Sequence, residues 1–375
     1  MSPAWHESDV QHMRHALGLA ALGLHTTEPN PRVGCVLVRD GHVVGEGWHE
    51  RAGGPHAEAR ALQAAGAAAR GATAYVSLEP CAAQGRTPPC SAALIAAGVR
   101  RVVYAAEDPN PAMRGGAAQL RSAGIEVASG LLAAEARELN VGFYSRHERG
   151  RPWLRLKLAA SLDGRTALAG GESRWITGEA ARADAQLYRA RSSVILTGSG
   201  TVLADDPSLN VRLEGASRQP LRAVLDSRLR VPPSARVFGL EGKSMVFTRS
   251  EDAALSDALR RVGVDVERVP AARPASDVGG AGVDLAAVCS RLAALEANEI
   301  WVESGPRLAG ALLAARLVDE LVVYLAPCLL GPDAQPLAEL PPLPELAGRL
   351  RLRYLSAQFI GPDLRIIARP GEAGE

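Results

Sequence analysis

Apolar and polar positions alternate along this chain in short helical stretches separated by short, almost wholly apolar runs. Val10, Met13, Leu17, Ala20 and Leu24 recur at helical spacing behind a capping-box pattern, Ser8-Asp9-Val10-Gln11, which predicts a helix over about 8–25. Asn30-Pro31 breaks it. Residues 33–38 and 42–48 read as paired strands around Asp40-Gly41, a hairpin turn signal. After Gly53-Gly54-Pro55 an Ala-rich helix runs over 56–70 and stops at Gly71; residues 72–78 form a buried strand ending at Glu79-Pro80. Cys90 opens another helix that ends at Gly98, residues 101–106 are the next strand, and a further helix and strand follow to about Ala128. Such alternation implies a layered α/β domain with parallel pairing.

Ser145-Arg146-His147-Glu148-Arg149-Gly150-Arg151-Pro152 is polar, charged and closed by Gly and Pro, as a domain boundary would be. Alternation then restarts, with strands at 153–159, 193–197, 221–226, 244–248, 299–303 and 320–326 and helices around 178–190, 251–261, 284–296 and 306–315. Two α/β domains are therefore expected, over 1–146 and 150–370, within a chain of 375 residues.

Composition narrows the classes. At 47% hydrophobic and 22% charged residues the chain reads as globular and soluble, and a formal net charge of +1 gives no reason to expect nucleic acid or an anionic membrane as a bulk partner. No apolar run reaches about 18 residues, and the first residues lack the basic and apolar stretches of a secretory signal. Cys35, Cys81, Cys90, Cys289 and Cys328 are an odd, sparse set rather than a disulfide framework, which fits a reducing cytoplasm.

The most informative chemistry is His56-Ala57-Glu58 followed by Pro80-Cys81 and Cys90. An imidazole and two thiolates suit Zn²⁺ and leave a fourth position for water, as in a catalytic rather than a structural site. Zinc deaminases of nucleobases combine such ligands with a glutamate that moves protons without binding metal. Here Glu58 is spaced to do so. Cys90 sits at a helix start, where the dipole favours thiolate. Zinc would bring its water near a pKa of roughly 7, supplying hydroxide. The second half is less legible. Residues 195–201 and 301–307 each run from a strand into a turn whose backbone N–H groups could cradle a phosphate. Neither matches Gly-x-Gly-x-x-Gly, so ordinary strand–helix turns explain them equally well.

Taken together, Pro29-Asn30-Pro31-x-Val33-Gly34-Cys35, His56-Ala57-Glu58, Glu79-Pro80-Cys81 and Gly85-Arg86-Thr87-Pro88-Pro89-Cys90 make the chain resemble the bifunctional deaminase/reductase of riboflavin biosynthesis. Lys157 to Arg165, Gly171 to Thr177, Val202 to Pro207 and Val302 to Pro306 extend the resemblance to the reductase half. It implies a cytidine-deaminase-like three-layer domain followed by a dihydrofolate-reductase-like α/β domain. It implies zinc on His56, Cys81 and Cys90, Glu58 as proton shuttle, and Asn30, His49 and Arg86 as deaminase substrate contacts. It further implies NADPH at Ala159, Trp175, Thr201, Asp205, Glu303, Ser304 and Gly305. Reductase substrate contacts would be Ser173, Arg189, Leu209, Arg212 and Glu303, with Arg189 and Arg212 suited to the ribose phosphate. Lys157 and Asp163 would line the hydride-transfer site. The implied substrate is a phosphorylated pyrimidine, 2,5-diamino-6-ribosylamino-4(3H)-pyrimidinone 5′-phosphate, deaminated and then reduced to 5-amino-6-(5-phospho-D-ribitylamino)uracil; a homo-oligomer is expected. One departure stands out: Ala82-Ala83-Gln84 replaces the Ser-His pair that usually follows the Pro-Cys. The rival reading is a single-function deaminase whose C-terminal half serves binding or oligomerisation.

Overall fold

The structure, a computed structural model, describes residues 5–85, 88–272 and 282–371. The chain divides into two compact units, Met1–Gly150 and Arg151–Glu375.

The first unit runs α1 (Glu7–Ala21), β1 (Gly34–Arg39), β2 (His42–Trp48), α2 (Ala57–Ala65), β3 (Thr73–Leu78), α3 (Cys90–Ala97), β4 (Arg101–Ala106), α4 (Gly116–Ser122), β5 (Glu126–Ser129), α5 (Ala133–Leu139) and α6 (Val141–Arg149). Its sheet has the order β2-β1-β3-β4-β5. The expected parallel pairing holds for β3, β4 and β5, whereas β1 is antiparallel to both β2 and β3. The turn Asp40-Gly41 has positive φ at both residues, 52° and 78°, which matches the right-handed strand twist of a two-residue hairpin. Side-chain parity builds three layers. Cys35, Leu37, Ala74, Val76, Val102 and Tyr104 face Ala57, Ala61, Leu94 and Leu120 of α2, α3 and α4. Val36, Val38, Tyr75, Val103 and Ala105 face Met13, Ala16, Ala136 and Tyr144 of α1, α5 and α6. α2 lies directly on β2: a Cβ on Gly47 would stand 2.8 Å from the Ala57 carbonyl oxygen, so the helix start is seated against backbone.

Three boundaries differ from expectation. α1 is capped by His6, not Ser8, with Asp9 accepting from the His6 N–H at 3.3 Å. The helix expected over 56–70 ends at Ala65, because Gly66 turns to φ 52°, and a 3-10 turn follows over Gly66–Ala69. The charged stretch at the domain boundary is helical as far as Arg149, the end of α6, which closes at Gly150 with φ 67° just before the second unit begins.

The second unit contains β6 (Trp153–Ser161), β7 (Arg165–Ala167), α7 (Glu179–Arg191), β8 (Val194–Gly198), α8 (Ser199–Asp205), β9 (Leu221–Leu225), β10 (Ser244–Thr248), α9 (Ala253–Arg261), β11 (Val264–Arg268), α10 (Leu285–Ala294), β12 (Glu299–Glu303), α11 (Pro306–Ala314), β13 (Glu320–Ala326), β14 (Gln335–Pro336), β15 (Leu352–Ile360) and β16 (Asp363–Pro370). Nine strands form one sheet in the order β11-β10-β9-β8-β12-β6-β13-β16-β15, and β7 pairs with β14 apart from it. The strands from β11 to β13 are mutually parallel; β16 and β15 add antiparallel. Leu154, Leu156, Leu158 and Val302 pack towards α10 and α11, while Ile195, Val224, Val246 and Trp301 pack towards α7. Near the amino ends of the central strands Arg155 is buried between Glu299 and Glu320, with Arg191 and Arg369 completing the network at 3.0 and 2.8 Å. The carboxyl ends are thereby left for binding, as in other open parallel sheets. No helix among the described residues is long and apolar enough to cross a membrane.

Candidate active sites

The first unit brings three soft ligands together. His56 is the N-cap of α2, Cys81 follows the carboxyl end of β3, and Cys90 is the first residue of α3. Their ligand atoms all lie within 4.8 Å of one another, and no other His, Cys, Asp or Glu among the described residues joins them. His56 Nδ1 is 3.2 Å from Cys90 Sγ and 3.6 Å from Cys81 Sγ. Tetrahedral zinc needs an N···S edge of about 3.5 Å, from Zn–N near 2.0 and Zn–S near 2.3 Å, so the donor set fits zinc in type and spacing.

Cys90 opens α3 as expected, and the geometry adds a second role for that helix start. The helix-start amide of Cys90 points at the other sulfur, donating to Cys81 Sγ at 3.3 Å. The Cys90 thiol, His56 and that amide pull Cys81 down to about 4 against the opposing effect of burial. Cys90 goes the other way, pushed up by the neighbouring Cys81 sulfur and by burial. His56 is raised by its bond to Cys81, and Glu58, only 3% exposed, is raised by burial.

Around this cluster each motif residue has a distinct task. Glu79 accepts from the N–H groups of Gly115 and Ala117, both at 3.1 Å, and so ties the start of α4 to the end of β3. A Cβ on Gly116 would collide with the Pro80 carbonyl oxygen at 1.8 Å, so only glycine lets α4 seat there. His49 is 3% exposed, and both ring nitrogens are occupied: Nδ1 lies 3.0 Å from the Pro55 carbonyl and Nε2 3.0 Å from Asn30 Nδ2. A carbonyl can only accept, so Nδ1 carries the proton and Nε2 accepts from Asn30. Arg86 lies outside the described residues. Sequence reasoning missed Asp108, which burial pushes up to about 6 and which faces Cys81, Glu58 and His56 electrostatically. The signal was the parallel pairing of β3 and β4: the Leu78–Ala106 register sets the residues after β4 beside those after β3.

In the second unit one cleft of about 1740 Å³ opens over the carboxyl ends of the parallel strands. That exceeds the usual volume for a single small ligand. Lys157, Ala159, Ser173, Trp175 and Arg189 line it, as do Thr201, Asp205, Leu209 and Arg212 and the turn Glu303-Ser304-Gly305. Asp163 does not. Its carboxylate is held by Ser161 Oγ and by the N–H groups of Leu330 and Gly331, which lower it to about 2, so it braces a turn outside the cleft. Arg189 is largely committed, its Nε and Nη2 lying 2.6 and 2.8 Å from the two Glu303 oxygens. Burial works to raise Glu303, but Arg189, Lys157 and the Trp301 indole N–H bring it down to about 2. Arg212 keeps its guanidinium at the rim, with Asn210 Oδ1 at 3.2 Å. Trp175 is 70% exposed, with Arg182 4.4 Å over its ring. Where β12 turns into α11, Ser304 Oγ is buried without a hydrogen-bond partner among the described residues, and none of them lies within 4 Å of a Cβ built on Gly305. An orphaned hydroxyl and open space before a helix start suit a dinucleotide phosphate, so these residues fit NADPH. Arg228, Arg230 and Arg236 also line the cleft. They escaped notice because no local pattern marks them; tertiary folding alone collects them.

Comparison with known proteins assigns a family to each half. Residues 6–106 match the cytidine and deoxycytidylate deaminase zinc-binding region, and residues 152–366 match the RibD C-terminal domain. The riboflavin biosynthesis protein RibD of Escherichia coli K12 is 48% identical over 370 residues, covering 95% of this chain and 98% of the relative. The RibD structure from Acinetobacter baumannii superposes with a TM-score of 0.89 at 41% identity, over 98% of this chain and 99% of that one. A diaminohydroxyphosphoribosylaminopyrimidine deaminase/5-amino-6-(5-phosphoribosylamino)uracil reductase from Thermotoga maritima superposes at 0.85 with 31% identity, over 97% and 99%. The second half is thus a reductase domain rather than a mere binding module. The chain belongs to the RibD family, the bifunctional zinc-dependent deaminases and NADPH-dependent reductases of riboflavin biosynthesis.

Proposed function

We propose that His56, Cys81 and Cys90 hold the zinc, that Glu58 carries the proton of deamination, and that the cleft of the second unit takes NADPH beside the phosphorylated pyrimidine. The convergence of three ligand atoms beside a buried glutamate carries the first part. Zinc, when bound, supplies a Lewis acid that acidifies a water. Glu58, raised by burial, is suited to take a proton near neutral pH and return it to the ring and the leaving amine. Asn30 is the direct substrate contact of the Asn30–His49 pair. His49, fixed by the Pro55 carbonyl, turns the Asn30 carbonyl oxygen away from itself, where it can accept from a substrate N–H.

In the cleft NADPH supplies the hydride to the ribosyl carbon. The Glu303-Ser304-Gly305 turn receives the cofactor phosphates, and the open face of Trp175 offers a stacking surface. Arg212 takes the substrate phosphate. Arg189, bound to Glu303, holds that carboxylate in place instead. Lys157, lowered by burial and facing Glu303, lines the reacting end.

The free side of β15 is the surface we assign to the homo-oligomer: Tyr354 and Phe359 are 71% and 79% exposed on an edge strand, next to the exposed Leu352 and Leu355. The chain is placed in the cytoplasm, where its cysteines stay reduced.

The test is incubation of pure protein with the diaminopyrimidine phosphate, with and without NADPH, and identification of products by mass. Ammonia release alone is expected without NADPH, and the ribityl product with it. Glu58→Gln should retain zinc and release no ammonia; deamination at the wild-type rate would reject Glu58 as the shuttle.

A further inference from the structure

The segment after Cys81 lacks the Ser-His pair usual in the family, and the structure shows what secures it instead. Ser91, the neighbour of Cys90 and fully buried, places its Oγ 2.6 Å from Gln119 Oε1 and 3.0 Å from the Cys81 carbonyl. The same carbonyl accepts from the Ser91 N–H at 3.2 Å. Gln119, on α4, donates from Nε2 to the Ala82 carbonyl at 3.2 Å, and the Ala82 N–H donates to Met113 at 2.8 Å. Because the Ala82 oxygen can only accept, the amide of Gln119 has one workable orientation: Nε2 to Ala82, Oε1 to the Ser91 hydroxyl. The single Ser91 hydroxyl proton goes to Gln119 Oε1, so the Cys81 carbonyl is held by the Ser91 N–H and the Ala82 carbonyl by Gln119 Nε2, one from α3 and one from α4. The Ser91 grip comes from the residue adjoining the other thiol ligand.

We infer that Ser91 and Gln119 are positioning residues of the zinc site, fixing the Cys81 backbone at the height where its sulfur meets the Cys90 amide and His56. Neither touches substrate or metal. They act through the geometry of Cys81, and their loss loosens one of three ligands. Partners behind a metal ligand typically change metal affinity about 10–100-fold. Gln119 is exposed and competes with water, so the lower end applies to it. The inference rests on the assignment of His56, Cys81 and Cys90 as ligands.

The experiment uses the full chain loaded with zinc or with cobalt, comparing wild type, Gln119→Ala, Gln119→Glu and Ser91→Ala. Zinc release to a chromogenic chelator should be about tenfold faster in both Gln119 variants, since the glutamate keeps an acceptor for Ser91 but loses the donor for Ala82. The sulfur-to-cobalt absorption band should shift or weaken while the NADPH-dependent step is unchanged. Zinc release at the wild-type rate with a wild-type cobalt spectrum would overturn the inference, even if the unfolding temperature falls, since that is what a purely structural role predicts. Should the buried Ser91→Ala variant fail to fold, the exposed Gln119 position decides. A wild-type chain that shows no cobalt–thiolate band would instead overturn the ligand assignment itself.

Discussion

Replacing Glu303 by Gln keeps the shape of the side chain and removes the charge that neutralises Arg189. Glu303 has 16% side-chain exposure and Arg189 10%, so solvent screens the pair weakly. The carboxyl lies at about 2 instead of the ordinary 4.5. At about 1.4 kcal/mol per pH unit, that fall is worth about 3 kcal/mol of stability at neutral pH. The loss of one partner from a buried pair costs about 3–5 kcal/mol, which agrees. The sign follows from the direction: a carboxyl held below its unfolded value stabilises the fold above about pH 4.5 and loses that contribution as pH falls towards 2. About 2 of the 3 kcal/mol should be gone by pH 3. The assay is urea denaturation of wild type and Glu303→Gln at pH 7 and near pH 3. It is followed by hydrogen exchange in β12, because a chain of two units need not unfold in a single transition. A stability gap that is the same at both pH values, or under about 1 kcal/mol at pH 7, would refute the reasoning and reduce the pair to packing.

Arg212→Ala should weaken binding of the phosphorylated substrate while leaving NADPH affinity within about twofold, as measured by calorimetry with each ligand; equal loss of both would remove Arg212 from the substrate phosphate. Glu299→Ala should destabilise the second unit by about 3–5 kcal/mol, because Arg155 is 3% exposed and loses a partner inside the sheet; an unfolding midpoint within error of wild type would sink that estimate. Phe359→Glu on β15 should lower the oligomeric state seen by light scattering at unchanged secondary structure, and an unchanged mass would move the interface elsewhere.

Much of the fold was legible because its central strands are buried on both faces. All six residues of β3 and all five of β10 are inside, so the apolar runs stand out whatever the tertiary arrangement. β15 is illegible for the converse reason: it leaves seven of nine positions exposed, and no alternation marks a strand that packs little of its surface. The polar stretch from Ser145 marked the domain boundary but hid the helix that ends there, because the apolar anchor of α6, Val141–Tyr144, is only four residues long.

The chain alone pointed to the chemistry of the first half: a histidine, two cysteines and a glutamate spaced off them are a matter of residue type and spacing, whereas the second half was legible only through its resemblance to a known family. Tertiary structure decided how those groups are used. It aimed the Cys90 amide at Cys81, set His49 behind Asn30, spent Arg189 on Glu303 and drew Asp163 out of the cleft to brace a turn. The reason is physical. Which donor reaches which acceptor depends on distances of about 3 Å between segments far apart in the chain, and no local pattern encodes a distance across space.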